Sequence, residues 1–299
     1  MSTNNEDKEK QVKLLTIGKV TKQSFELFFK GDSFTHGAAL AYYAIFALVP
    51  IIYLAITSFG IVVGQDRVIE IVAYLMETNM GIENISVFTD LMYQWDIGGG
   101  GSIALRVVGI IVLVFTSTAM FNSLRNSLNT FFDIEPIHNY NVVLENVISR
   151  LISFGMLALF GLIIILIYFG QTVLITFSGK IFDRSSIVGE VYFFLLEHLS
   201  VLFVNVVLFS FVFKYLHDGF ITWKLALGGA IFTGILLYLG QLLVNFYLSN
   251  YFFAANSGIA GTLLAILTWI FYTSQIIFLG ATFTAVYARA VGKPIVAKK

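Results

Sequence analysis

Long apolar stretches nearly free of charge alternate along this chain with short polar segments. No Asp, Glu, Lys or Arg occurs between Asp32 and Asp66, between Arg106 and Arg125, between Arg150 and Lys180, or between Lys224 and Arg289. The stretch between Glu190 and Lys214 holds only Glu197 and His198. A helix needs about 20 apolar residues to cross the hydrocarbon layer, so each stretch is long enough to span. The last would measure about 96 Å as one helix at 1.5 Å per residue, and must turn back. Turn formers collect at Ser249-Asn250-Tyr251 and Asn256-Ser257-Gly258, which places the break there. The pattern predicts six spans, at about 37–63, 103–124, 151–177, 191–213, 225–247 and 259–287. The second helix is expected to continue to Phe132, and Pro50 is expected to kink the first.

The flanking segments read differently. Residues 1–10 are polar and predict a disordered cytoplasmic tail, and 291–299 predict a cytoplasmic tail. Over 11–31 the residues Ile17, Val20, Leu27 and Phe28 fall near one helical face, with Lys13, Lys19, Lys22 and Lys30 interspersed. That pattern suits either a helix lying on an anionic leaflet or a solvated helix docked on the bundle. Between Asp66 and Gly101 the apolar positions Val68, Ile71, Val72 and Leu75, then Ile85, Phe88, Met92 and Trp95, predict two short amphipathic helices. The first apolar span is too long for a signal-peptide core and is expected to remain in the mature protein. The expected fold is all-α, one polytopic six-helix domain over 32–290, with an N-terminal surface helix and short extracytoplasmic helices.

Composition agrees with lipid as the solvent. The 299 residues are 58% hydrophobic and 12% charged, against roughly 25% charged in soluble domains. Net charge is zero, but its distribution is not even. With the N-terminus inside, fourteen Lys and Arg fall in the tails and in the loops after the second and fourth spans, and four on the other side. That bias puts both termini in the cytoplasm. No cysteine is present, which excludes disulfides, thiolate metal sites and a Cys nucleophile. No nucleotide-binding loop and no internal repeat is found, so an inverted-repeat transporter is not supported.

Polar residues inside apolar helices are the candidates for function. Thr118, Asn122, Arg125 and Asn129 recur at steps of four, three and four, which puts them on one helical face. They can line a cytoplasm-facing cavity in which Arg125 holds an anionic group such as a phosphate head group. Alternatively Arg125 snorkels and the others bond to neighbouring helices. Glu197 and His198 lie in the fourth span, and Arg106 sits at similar depth on the second. A static Arg106–Glu197 ion pair and a proton-coupled step are the two readings there. The fifth and sixth spans carry stripes, Gly234, Tyr238, Gln241 and Asn245 and then Thr268, Tyr272, Gln275 and Thr282, that could face one another across an interior seam, as helix packing or as part of a substrate path. Small residues at Gly37, Ala41 and Ala44, at Ala230 with Gly234, and at Gly280 with Thr284 allow close helix approach. The four histidines, His36, His138, His198 and His217, show no metal-ligand spacing, so neither metal nor cofactor is expected.

The stretch Ala38-Ala39-Leu40-Ala41-Tyr42-Tyr43 with Pro50, the Asn129-Thr130-Phe131-Phe132 helix end, and the run from Trp269 through Tyr272, Gln275, Gly280 and Ala281 to Thr284 together resemble the YihY/BrkB family of bacterial inner-membrane proteins. The chain departs from the family's pattern at Thr282, where Glu is usual. The resemblance implies a six-helix inner-membrane protein of envelope integrity, with lipid or solute transport proposed for some members. The family has also carried a ribonuclease name, which these residues do not support: they lack clustered metal ligands and a basic surface for RNA. The leading expectation is transport or transbilayer handling of an amphipathic, lipid-like substrate, with membrane lipids as partners, no nucleic acid and no enzymatic activity. The alternative is a non-transporting structural protein that holds lipid or an envelope partner protein.

Overall fold

The computed structural model describes residues 3–80, 103–135, 186–251 and 258–297, together with 155, 159, 162–163, 166–167 and 169–170. The helices are α1 (Thr3–Lys30), α2 (Ser33–Val63), α3 (Gln65–Met80), α4 (Ile103–Phe132), α5 (Ile187–Tyr215), α6 (Trp223–Tyr251) and α7 (Gly258–Ala290). Two short strands, β1 (Gly219–Phe220) and β2 (Val296–Ala297), pair antiparallel. Among the described residues three helices are long and apolar enough to cross a membrane, over Val188–Tyr215, Trp223–Leu243 and Leu263–Ala290. The described residues between 155 and 170 are helical, and Leu159, Leu162, Leu166 and Phe169 among them are exposed. The second of the two short helices expected before Gly101 lies outside the described residues.

Several expectations are corrected. α1 opens at Thr3 rather than after a ten-residue tail, because Glu, Lys and Gln here are good helix formers and acids precede bases at helical spacing. Its buried face is Val20, Ser24 and Phe28, while Ile17 and Leu27 are exposed. Separately, α2 is helical from Ser33 to Val63 with Pro50 in its interior. The C-terminal segment is not a free tail, since β2 pairs with β1 in the register Gly219↔Ala297 and Phe220↔Val296. The fold is therefore helical with one two-stranded ribbon.

Helix ends are set by local chemistry. Ser186 caps α5, its Oγ accepting from the Gly189 N–H at 3.0 Å, which satisfies a donor the helix leaves open. α4 ends in a Schellman turn: Asp133 takes φ 60°, its N–H donates to the Thr130 carbonyl, and the Ile134 N–H donates to the Asn129 carbonyl. α7 ends the same way at Gly292, with φ 70°, the Lys293 N–H donating to the Ala288 carbonyl at 2.8 Å. The following Pro294 cannot continue a helix, and the chain turns toward β1.

α7 is the staff of the bundle, packed against α1, α2, α3, α4 and α6. α1 lies along its C-terminal third, with Val20 against Phe283 and Val286. On α3, Val68 and Ile71 are buried, and the helix folds back over α6 and α7. One core joins the C-terminal ends of α1, α4 and α5 to α7, through Phe28, Leu128, Phe132, Phe213 and Phe278. Phe131 and Phe278 stack at 4.8 Å, and Phe132 meets Phe213 edge-on at 5.8 Å. Near the start of α2, His36 sits between Phe131 and Phe278 and bonds through Nδ1 to Ser127 Oγ at 2.9 Å. The Ser127 hydroxyl already donates to the Ser123 carbonyl, so His36 Nδ1 is the donor of that pair.

Candidate functional site

The polar face of α4 leads to a charged knot at this end of the bundle. Thr118 and Asn129 are buried and Arg125 is partly buried. The knot's other partner is Asp218, in the turn between α5 and β1. Arg125 donates from Nε at 3.1 Å and from Nη2, both to Asp218 Oδ1. Asn129 Nδ2 donates to Asp218 Oδ2 at 2.6 Å, and Asn129 Oδ1 accepts the Asp218 N–H at 2.9 Å. Asn129 thus holds both the carboxylate and the backbone of one residue. Both ionic side chains remain 27% exposed, which places the pair between a freely solvated bridge and a buried one. The site also lies beside the C-terminal ends of α4 and α5, whose dipoles disfavour a carboxylate. Arg125 offsets that field.

The turn is braced from two more sides. His217 is buried, its Nδ1 accepting the Gly219 N–H at 2.9 Å and its Nε2 donating to the Phe213 carbonyl at 2.7 Å. That pairing selects the neutral Nε2–H tautomer. A Cβ at Gly219 would lie 2.5 Å from Ile134 Cδ1 and 2.8 Å from Ile295 Cγ2, so only glycine fits between the cap of α4 and the C-terminal segment. Lys214 donates to the Ile221 carbonyl at 2.5 Å and lies 5.8 Å from the Trp223 ring centroid.

The other candidate residues are dispersed. The side chains of Arg106, Glu197 and Asn245 lie outside those described, so the proposed Arg106–Glu197 pair does too. His198 bonds through Nδ1 to the Phe194 carbonyl at 2.9 Å and meets the Tyr238 ring at 6.0 Å. Among the described residues the stripes of α6 and α7 meet only in part. Gly234 faces Val206 and Asn205 of α5, and Tyr238 faces the same helix. Gln275 turns to α2, donating to the Ser33 carbonyl at 3.3 Å beside Gly37. Thr268 is exposed and bonds within its own helix, while Thr282 is buried and does likewise. Gln241 is buried, and the Tyr272 hydroxyl lies against Gly240.

α6 also meets α7 through a reciprocal set of glycines and threonines. Gly229 faces Thr284, and Gly280 faces Thr233. Each threonine donates to the glycine carbonyl four residues back in its own helix, Thr233 to Gly229 at 2.8 Å and Thr284 to Gly280 at 2.7 Å. Asp218 and His217 are the site residues that sequence reasoning missed. Their only local signal is the Asp-Gly pair of a turn.

A family model described as Virulence factor BrkB matches residues 25–298. No curated protein and no solved structure matches the chain. The matched range runs from the last turns of α1 through the α4 knot to the C-terminal strand. The chain belongs to the BrkB virulence factor family.

Proposed function

We propose that this chain is a bacterial inner-membrane protein that moves an amphipathic, lipid-like substrate along the polar face of α4, in support of envelope integrity. The observation that carries the reading is a line of polar side chains, Thr118, Asn122, Arg125 and Asn129, on a long helix, ending in an ion pair that water can reach. Asn122 stands ten residues before the end of α4, about 15 Å up the helix at 1.5 Å per residue. Polar groups at that depth face protein or a wet path rather than lipid.

Six crossings with both termini in the cytoplasm make the rest of the chain consistent. α4 ends at the knot, and α5 ends there as well. That two successive described helices end on the same side supports a further span between them. The fourteen-to-four distribution of basic residues supports the orientation. A second reading draws on the same knot: Asp218 is held by three donors and fixed by its own N–H, as a structural clamp would be. On that reading the protein holds lipid or an envelope partner without moving either.

The test is transbilayer movement of labelled phospholipids in liposomes containing the purified protein, against a folded Asn122→Ala/Arg125→Ala variant. The transport reading expects movement faster than in empty liposomes and lost in the variant. Movement equal to that of empty liposomes favours the clamp.

A further inference from the structure

We propose that the Asp218 carboxylate is a built-in stand-in for an anionic phosphate group, and that α4 binds such a group when Asp218 withdraws. The inference rests on reading α4's polar face as the substrate path, and it names the substrate class: an amphiphile with an anionic phosphate head.

The donor set is the first argument. Arg125 converges Nε and Nη2 on one oxygen of Asp218, and Asn129 Nδ2 reaches the other at 2.6 Å. A planar guanidinium beside an amide is an arrangement that binds any group with two anionic oxygens, a phosphodiester as readily as a carboxylate. The origin of the acceptor is the second. Asp218 comes from a turn 89 residues from Asn129 and 93 from Arg125, whereas both donors stand on one helix face. The donors therefore keep their relation to each other when the turn moves. Position is the third. The pair is 27% exposed on each side. Exchange with an external anion needs no deep opening.

The turn carrying Asp218 is held from outside the bundle by a replaceable element. β1 pairs with the short β2, and Ile295 packs on Gly219. Two residue pairs make a weak ribbon, so the C-terminal segment sets how firmly the carboxylate stays in place.

The experiment counts lipid retained by the full chain, purified from mixed phosphatidylglycerol and phosphatidylcholine bilayers, by native mass spectrometry. Asp218→Asn should raise retention of phosphatidylglycerol about tenfold over wild type, equivalent to 1.4 kcal/mol, with phosphatidylcholine unchanged. Arg125→Gln added to that variant should return retention to the wild-type level. Asp133→Asn, which removes an exposed acid 3.7 Å from Arg289, should leave it unchanged. An equal rise in Asp133→Asn, or a rise that survives Arg125→Gln, overturns the proposal, because general charge then explains it. No rise in Asp218→Asn overturns it as well.

Amide exchange in the wild-type protein is the second measurement, and it covers the case in which Asp218→Asn does not fold. The Asp218 amide, which donates to Asn129 Oδ1, should exchange faster in phosphatidylglycerol nanodiscs than in phosphatidylcholine nanodiscs; equal rates refute displacement. Glycerol phosphate added to Asp218→Asn protein distinguishes two sources of the phosphate. Displacement of the lipid means that the head group suffices, and retention means that the acyl chains contribute; both fit the site. These readouts report binding alone, so retention without translocation would fail the transport reading and leave this one standing.

Discussion

At the residue scale the protein turns on Asn129. It is the fourth residue from the end of α4, where its backbone carbonyl accepts the Ile134 N–H at 2.9 Å. Its side chain meanwhile accepts from the Asp218 N–H and donates to the carboxylate. Asn129→Ala leaves one partly buried N–H without its acceptor and one carboxylate oxygen short of a donor, which should cost about 1–2 kcal/mol. A chemical-denaturation midpoint in micelles would measure it, and Asn129→Asp should do worse, placing a second carboxylate against Asp218. Half of this arrangement was legible beforehand. Steps of four, three and four put Asn129 and Arg125 on one face because the helix period is 3.6 residues. Their partner was not, since no period links α4 to a turn 89 residues away. An Asp-Gly pair signals only that the backbone bends.

At the element scale, α6 and α7 show why close packing outweighs polar matching between these helices. Periodicity assigns each residue a face without naming the neighbour that the face meets, so the paired Tyr and Gln stripes looked complementary. In the structure Gln275 goes to α2 and Tyr238 to α5, while Tyr272 meets α6 at Gly240 and glycine fitted to threonine draws α6 onto α7. Helix association in lipid relies on such close van der Waals contact. A Cβ at Gly229 would run into Thr284, whose hydroxyl is already committed to the Gly280 carbonyl at 2.7 Å. Gly229→Ala should therefore destabilise by about 1–3 kcal/mol, and Thr284→Ala in the same chain should recover part of the loss. The adjacent Gly228 is the control. Its nearest neighbour for a Cβ is Tyr287 at 4.0 Å, so Gly228→Ala should be neutral or stabilise by up to about 1 kcal/mol through helix propensity. Thermal melting of the three variants in one detergent would separate these outcomes, and equal losses at both glycines would count against the packing argument.

At the scale of the whole molecule, the arrangement of helix ends constrains topology more tightly than hydropathy does. Hydropathy located the apolar stretches because charge is expensive in lipid, and turn formers located the break after Tyr251, where α6 ends before α7 begins at Gly258. It says nothing about which ends meet. Those of α4 and α5 share the Asp218 knot, and the β1–β2 ribbon adds the segment after α7 to the same end. α2 starts there too, through the bond from His36 to Ser127 at 2.9 Å. α3 follows the far end of α2, so six crossings put Asp66 and Lys298 on opposite sides of the bilayer. With no native cysteine in the chain, single-cysteine labelling needs no background removal. Asp66→Cys should react with a membrane-impermeant maleimide in intact spheroplasts, whereas Lys22→Cys and Lys298→Cys should react only after permeabilisation. If all three were labelled from outside, the crossing count would fail. If Lys22→Cys and Lys298→Cys alone were labelled, the bundle would be inverted, and the knot at Asp218 would face the periplasm. A phosphate-bearing substrate would then meet Arg125 from the outer leaflet, so the same three variants also determine from which side the lipid in the retention assay must be supplied.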